Sequence, residues 1–310
     1  MSRFSIIVPL IGENHLFENT LAAVLRYRPN DCQVIVVHDG NYGDPFDLDG
    51  EVKFVNADQR DLISFLNVGL CYVSGEFTVV IRPGIEVDEN WNLGLESAFE
   101  NQDVGSVTPL IVRRNRPNRI LAAGVCADST WTRKIVGHGR SASPRQIRRL
   151  KTQGPTSWFA VYRTAALKLI APLDEQLAGH YIDQDIALSL DKLGLKNMIL
   201  NDIVGCVDDD PGIIDESKLP HGLSAQRSVC RHDQTSLSKL ARNCLLDLVQ
   251  APVSRWRVSH ALQRLTRNRM KSEDRAFALK LKKFRLAQSW ETDSKAKAEQ
   301  PSNRNYRRAA

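Results

Sequence analysis

Short, almost uninterrupted apolar runs recur through the N-terminal half of the chain, separated by stretches in which apolar residues return every three or four positions. The runs are Phe4–Pro9 (FSIIVP), Gln33–Val37, Val52–Val55 and Phe77–Ile81. Between them fall two helical stripes, Leu16, Leu21, Ala22, Val24, Leu25 and then Leu62, Phe65, Leu66, Gly69, Leu70, Val73. Strands without polar alternation are buried on both faces, and strands alternating with helices of this size build βαβ units. The fold class is therefore α/β, a mostly parallel sheet flanked by helices, with right-handed crossovers.

The pattern continues with a helix around Trp91–Phe99 and a strand over Val104–Val112. Further on come a strand at Ser157–Tyr162, a short helix at Ala165–Leu169, a helix from Tyr181 to Leu193 capped by Gly194, and a strand at Asn197–Leu200. Between Arg113 and Lys151 the chain is polar, rich in Arg and Gly and weakly periodic, which predicts an irregular segment covering a site.

Charge divides the molecule. The chain has 310 residues and a net charge of +6, yet residues 226–310 carry 20 basic against 7 acidic side chains and residues 1–225 carry 22 against 29. An acidic folded body over 1–225 is thus followed by a basic arm. Leu237, Leu240, Ala241, Cys244, Leu245 and Leu248 form an amphipathic stripe in that arm. The arm reads as an α-helical extension over 226–290, and the polar stretch 291–310 reads as a disordered tail. Six cysteines without a Cys-x-x-Cys pair, no secretory leader and no apolar stretch of membrane-spanning length give a cytoplasmic reading. The composition, 42% hydrophobic and 25% charged, excludes collagen-like, disulfide-stapled and wholly disordered classes. No Gly-Lys-Ser/Thr loop, His-Glu-x-x-His or Gly-x-Ser-x-Gly is present, which removes the corresponding nucleotide hydrolases, zinc proteases and serine hydrolases.

In open parallel sheets ligands bind beyond the carboxyl ends of the strands, here at Pro9–Asn14, His38–Asn41 and Arg82–Asp88. An ordered series of motifs sits on these loops and beyond: FSIIVP, Asp39-Gly40, LNVGL with SGEF, RPGIEVDENW, RILAAGV, Gly137-His138-Gly139, SWFAVYRTAAL, LDEQL and YIDQDIALSLDKLGLK. The series, running over roughly Ser2–Asp210, resembles glycosyltransferase family 2, nucleotide-sugar enzymes of the GT-A fold. The resemblance implies transfer of a sugar from a nucleoside diphosphate donor to a hydroxyl acceptor with inversion. By position it assigns the Pro9 loop (Pro9, Glu13), Asp39 and Asn67 to the nucleotide and Asp183 to the catalytic base; residue chemistry adds Arg82 for the diphosphate, Trp158 for stacking on an acceptor sugar and Asp185 for orienting the acceptor.

The chemistry suits these residue types. A carboxylate at a helix N-terminus is held ionised by the dipole and can take a proton from an attacking hydroxyl; Asp185, two residues on from Asp183, lies on another face. Both aspartates also fit simple helix capping, and Trp158, within an apolar run, also fits the core. The family's acidic metal motif falls at Arg82-Pro83-Gly84, which holds no carboxylate. Mn²⁺ or Mg²⁺ would then rely on Asp88 or Asp208, although Asp208-Asp209-Asp210 also reads as a turn before Pro211-Gly212. Arg82 either meets the diphosphate itself or marks a decayed donor site in a non-catalytic GT-A-like binding or scaffold protein. For the basic arm, with Trp256, Phe277, Phe284 and Trp290 among its lysines and arginines, the readings are a helical subdomain packed on the body, peripheral contact with the inner membrane face, and nucleic-acid attachment, the last disfavoured because no base-reading motif occurs.

Overall fold

The computed structural model describes residues 3–127, 133–177, 179–208, 232, 277 and 279–284. The first strand, β1 (Phe4–Pro9), is buried throughout. It pairs in parallel with β2 (Cys32–His38) on one side and β4 (Phe77–Ile81) on the other. β3 (Val52–Asn56) extends the sheet beyond β2. Past β4 the order continues with β10 (Phe159–Arg163), β6 (Val104–Arg113), β11 (Lys196–Val207) and the two-residue β5 (Glu86–Val87). β10 runs antiparallel to both β4 and β6, so β6 and its parallel neighbour β11 point the same way as β1. The sheet is nine-stranded, β7 (Arg116–Ala122) pairing with β6 off the main path.

Each face of the sheet carries its own core, as the pleat requires. Phe4, Ile6 and Val8 of β1 pack with Phe17 and Leu21 of α1 (Asn14–Tyr27), with Trp91, and with Phe99 of α3 (Leu95–Glu100). Ile7, between them in sequence, faces Ile63 and Phe65 of α2 (Leu62–Tyr72), Leu167 of α5 (Thr164–Ile170) and Ile182 of α6 (Ile182–Lys192). The buried stripe of α1 is Phe17, Thr20, Leu21 and Val24, whereas Ala22 lies outside it, exposed. Asp61 caps α2 by accepting the amides of Ile63 and Ser64 at 3.0 Å each, a contact worth about 1 kcal/mol.

Two stretches depart from expectation. Within 113–151 the described residues, 113–127 and 133–151, build regular elements: β7, then a small antiparallel sheet of β8 (Val125–Ala127) and β9 (Arg133–Ile135), then the single turn α4 (Pro144–Ile147). The first four residues of β7, Arg116 to Arg119, are polar or proline and exposed, and only Ile120, Leu121 and Ala122 are buried, so the strand carries no periodic apolar signal. The last strand is twelve residues long instead of four, because its pairing with β6 skips between Leu200 and Val204 and resumes beyond the polar Asn201-Asp202 pair. Of the basic extension, residues 279–284 are helical: Leu281 is buried in the second core, Phe277 and Phe284 pack against it, and Lys280, Lys282 and Lys283 are exposed. The stripe at 237–248, Trp256, Trp290 and the 291–310 tail lie outside the described residues. No helix among the described residues is long and apolar enough to cross a membrane.

The close packing of β8 against residues 152–154 depends on Gly124, whose φ is +95° and whose missing Cβ would lie 2.3 Å from Thr152 Oγ1 and 2.4 Å from the Gly154 carbonyl oxygen. Gly124→Ala therefore loses about 1–3 kcal/mol of stability. Chemical denaturation followed by fluorescence measures the loss; an unchanged midpoint would mean the segment relaxes freely.

Candidate active site

The register of the sheet brings the predicted loops together. Pro9 pairs with Val37 and Ile7 with Val80, so the carboxyl ends of β2, β1 and β4 stand side by side. Leu10 N donates to Val37 O (2.8 Å) and Arg82 N to Trp158 O (2.8 Å). The turn after β4 rests on α1, Gly84 N donating to Thr20 Oγ1 (2.9 Å) and Leu16 O (3.3 Å). Glu13 stands at the N-terminal boundary of α1, exposed and 3.2 Å from His15 Nδ1. Arg60, which the motif reading missed, ties two of the loops: its guanidinium lies 3.6 Å from Asp39 and donates to Gly12 O at 3.4 Å.

His38 is buried at this edge, ringed by Tyr42 and Phe54. Its Nδ1 accepts the Gly40 amide at 3.3 Å. That bond needs a free lone pair on Nδ1, and burial pushes the imidazole below its ordinary value of 6.5 against the pull of Asp39. Asp39 is held below the usual carboxylate range, chiefly by the Asn41 amide that donates to Oδ1 at 3.1 Å and further by Arg60.

Several predicted residues are placed differently from their assigned roles. Asn67 staples α2 to the segment after α5: its Oδ1 accepts Leu173 N (2.7 Å), and its Nδ2 donates to Leu173 O and Glu175 (3.0 Å each). Both ends of the amide are engaged there. Trp158 is 1% exposed and belongs to the first core, so its ring offers no face for a sugar to stack on.

Asp183 sits in the first turn of α6 and is completely buried. Arg133 of β9 grips it with two parallel bonds, Nε to Oδ1 at 2.8 Å and Nη2 to Oδ2 at 2.6 Å, and the Ser157 amide donates to Oδ2 at 3.0 Å. The carboxylate expected as the base is half of a buried ion pair, and among the described residues no hydrogen bond or ion pair connects it to Asp39. Tyr162 nearby is pushed up by burial and by the Asp183 charge. Asp185, on a different face of α6, pairs with the buried His232, Oδ1 to Nε2 at 2.7 Å, and His232 packs edge-on to Phe277. This contact ties His232 to α6. Neither Arg133 nor His232 was foreseen, since nothing in local spacing couples residues 47 and 50 positions apart.

The two carboxylates considered for a metal do come close. Asp88 and Asp208 line one cleft of about 620 Å³ with Glu86, between α1 and the β5–β11 pair. Arg114 already occupies it, donating to Glu86 at 2.6 Å and to Asp208 at 2.9 Å, and its own pKa rises through these two contacts. A guanidinium stands where a divalent ion would need those oxygens. Arg82-Pro83-Gly84 adds no ligand, and among the described residues no group of three His, Cys, Asp or Glu side chains converges. Among the described residues, the side chains in this cleft do not fit a divalent cation.

The fold, a mostly parallel sheet flanked by helices, matches that of GT-A glycosyltransferase structures. GalNAc-T7, solved with UDP, GalNAc and Mn²⁺, matches with a TM-score of 0.55 at 13% identity over 85% of this chain and 55% of that one, so the chain spans little more than half of that protein. The mannosyltransferase PcManGT from Pyrobaculum calidifontis, in complex with GDP-Man and Mn²⁺, gives 0.49 at 14% identity over 92% and 85%. S. aureus TarS 1-349, in complex with UDP-GlcNAc, gives 0.46 at 15% over 90% and 79%. No family model and no curated protein matches the sequence. The likeness at these identities is one of fold.

Removing one member of a buried ion pair strands the other. Arg133→Met is expected to cost about 3–5 kcal/mol in denaturant unfolding, and adding Asp183→Asn to recover part of it; a cost below about 1 kcal/mol would show that Asp183 is rehydrated easily. His38 gives a pH signature. Because the folded imidazole resists protonation, the unfolded chain binds the proton first, so stability falls as pH drops through 6.5 and is level above it. His38→Gln flattens that part of the acid limb; an unchanged pH profile of the melting temperature would refute this.

Proposed function

We propose that the chain is a glycosyltransferase that takes a nucleoside diphosphate sugar at the carboxyl edge of its sheet and passes the sugar to a hydroxyl acceptor with inversion. The observation that carries this reading is the convergence of the loops after β1, β2 and β4 on a GT-A-type sheet, with Arg60 binding two of them together. The Pro9–Glu13 loop and Asp39 would hold base and ribose, and Arg82, at the end of β4, would face the diphosphate.

In the reaction the acceptor hydroxyl oxygen forms a bond to the anomeric carbon from the face opposite the leaving group. The bond from that carbon to the diphosphate oxygen breaks, and the nucleoside diphosphate departs with the electron pair. Arg82 meets the charge that develops on it, a role suited to a guanidinium. Asp183 takes the hydroxyl proton, for which Arg133 must release one carboxylate oxygen as the acceptor enters. No step of this scheme is routed through a metal, since Arg114 already pairs with Glu86 and Asp208.

The same ion pair favours a second reading. With Asp183 fully buried and paired, the chain can be a GT-A-like binding protein that keeps the donor edge and has lost its base. Calorimetry with UDP and GDP, and assay of transfer or slow donor hydrolysis with UDP- and GDP-sugars, separate the two. The transferase reading predicts nucleotide binding that survives EDTA, and loss of about 10²-fold or more in turnover for Asp183→Asn with nucleotide affinity retained. Nucleotide binding without any turnover supports the second reading, and absence of nucleotide binding contradicts both.

A further inference from the structure

We propose that the cleft alongside the β6–β7 hairpin binds the phosphate groups of an anionic acceptor. The proposal rests on the donor reading for its word acceptor, and on the hairpin alone for the anion. Charge sets this segment apart: residues 113–151 hold 11 basic side chains and one acidic, Asp128, whereas residues 1–112 hold 6 basic and 17 acidic. The hairpin brings three of these arginines, Arg113, Arg116 and Arg119, to one concave surface. Arg113, Asn115, Arg116, Asn118, Arg119 and His138 line a cleft of about 690 Å³ with no carboxylate in its lining among the described residues.

The groups are arranged as donors. Arg119 Nη1 donates to Gly139 O at 2.9 Å, which fixes the guanidinium and leaves its other N–H groups to the cleft. His138 Nδ1 donates to Leu121 O at 3.0 Å, turning Nε2 away from the backbone. Arg116 and Arg119 enter no ion pair among the described residues, and both are exposed. Gathered like charges repel unless an anion joins them, and planar guanidinium forks match phosphate oxygens two at a time. Buried Ile120 and Leu121 form a rigid floor beneath the arginines.

Location adds the acceptor role. β6 runs parallel to β1 and ends at Arg113, so the hairpin leaves the sheet at the edge where the donor loops converge. Arg114, the next residue, turns to the Glu86–Asp208 cleft, so neighbouring arginines serve two different surfaces. A phosphate-bearing acceptor seated on Arg116 and Arg119 would present its hydroxyl toward that edge.

The probe is inorganic tripolyphosphate, titrated calorimetrically into the full chain at low and high salt. We expect salt-dependent binding that weakens about tenfold or more in Arg116→Ala/Arg119→Ala, partial recovery in Arg116→Lys/Arg119→Lys, and an unchanged melting temperature in both. UDP and GDP binding is expected to be equal in wild type and double alanine variant. Equal tripolyphosphate affinity in wild type and the double alanine variant overturns the site. A single-stranded oligonucleotide or phosphatidylglycerol vesicles that bind more tightly than tripolyphosphate, and lose that binding in the same variant, overturn the acceptor as occupant. If neither protein binds a nucleotide, the acceptor role fails with the donor reading, while loss of tripolyphosphate in the variant still upholds the anion site.

Discussion

Burial of β1 between two parallel neighbours is the constraint from which the molecule follows. A strand with helices on both faces can pair in parallel only through crossovers, and each crossover returns the chain so that its next carboxyl end lies at the same edge. Phe4, Ile6 and Val8 commit one face to α1 and Ile7 commits the other to α2 and α6, so a register slip of one residue would exchange the two cores. The loops at Pro9, His38 and Arg82 are neighbours for this reason, though they are far apart along the chain.

Arginines settle the charges around that edge. Arg60 answers Asp39, Arg133 answers Asp183, and Arg114 answers Glu86 and Asp208. The three pairs differ in consequence. The first is partly exposed and organises loops at little energetic cost. The second is sealed, and what it contributes is fixed orientation more than net stability. The third puts a fixed organic cation between carboxylates that could otherwise gather a metal. A transfer reaction at this edge would therefore draw its positive charge from the chain itself.

The sheet was largely legible in the sequence because its strands are continuous apolar runs; β4 was read at its true bounds, and β1 likewise. What escaped had several causes. β7 is exposed and polar over its first four residues, so no apolar period marked it, and β11 is interrupted by Asn201-Asp202 at a register shift. The positions of the site loops were legible for the same reason as the strands. The partners of Asp183 and Asp185 were not, since an ion pair across the fold leaves no trace in local spacing. Asn67 and Trp158 show the converse: residue type and motif position suggested ligand contact, while hydrogen bonds to Leu173 and burial in the core engage them elsewhere.

The central claim is that a nucleotide sugar occupies the carboxyl edge of the sheet. Hydrogen–deuterium exchange with and without UDP- and GDP-sugars reads that edge directly. The account predicts slowed exchange in the backbone of residues 10–14, 39–41 and 82–85 with one of the donors, and unchanged exchange in residues 114–121 until a phosphate-bearing acceptor is added. Unaltered exchange at all three loops with every donor, or protection confined to another face of the sheet, would contradict it.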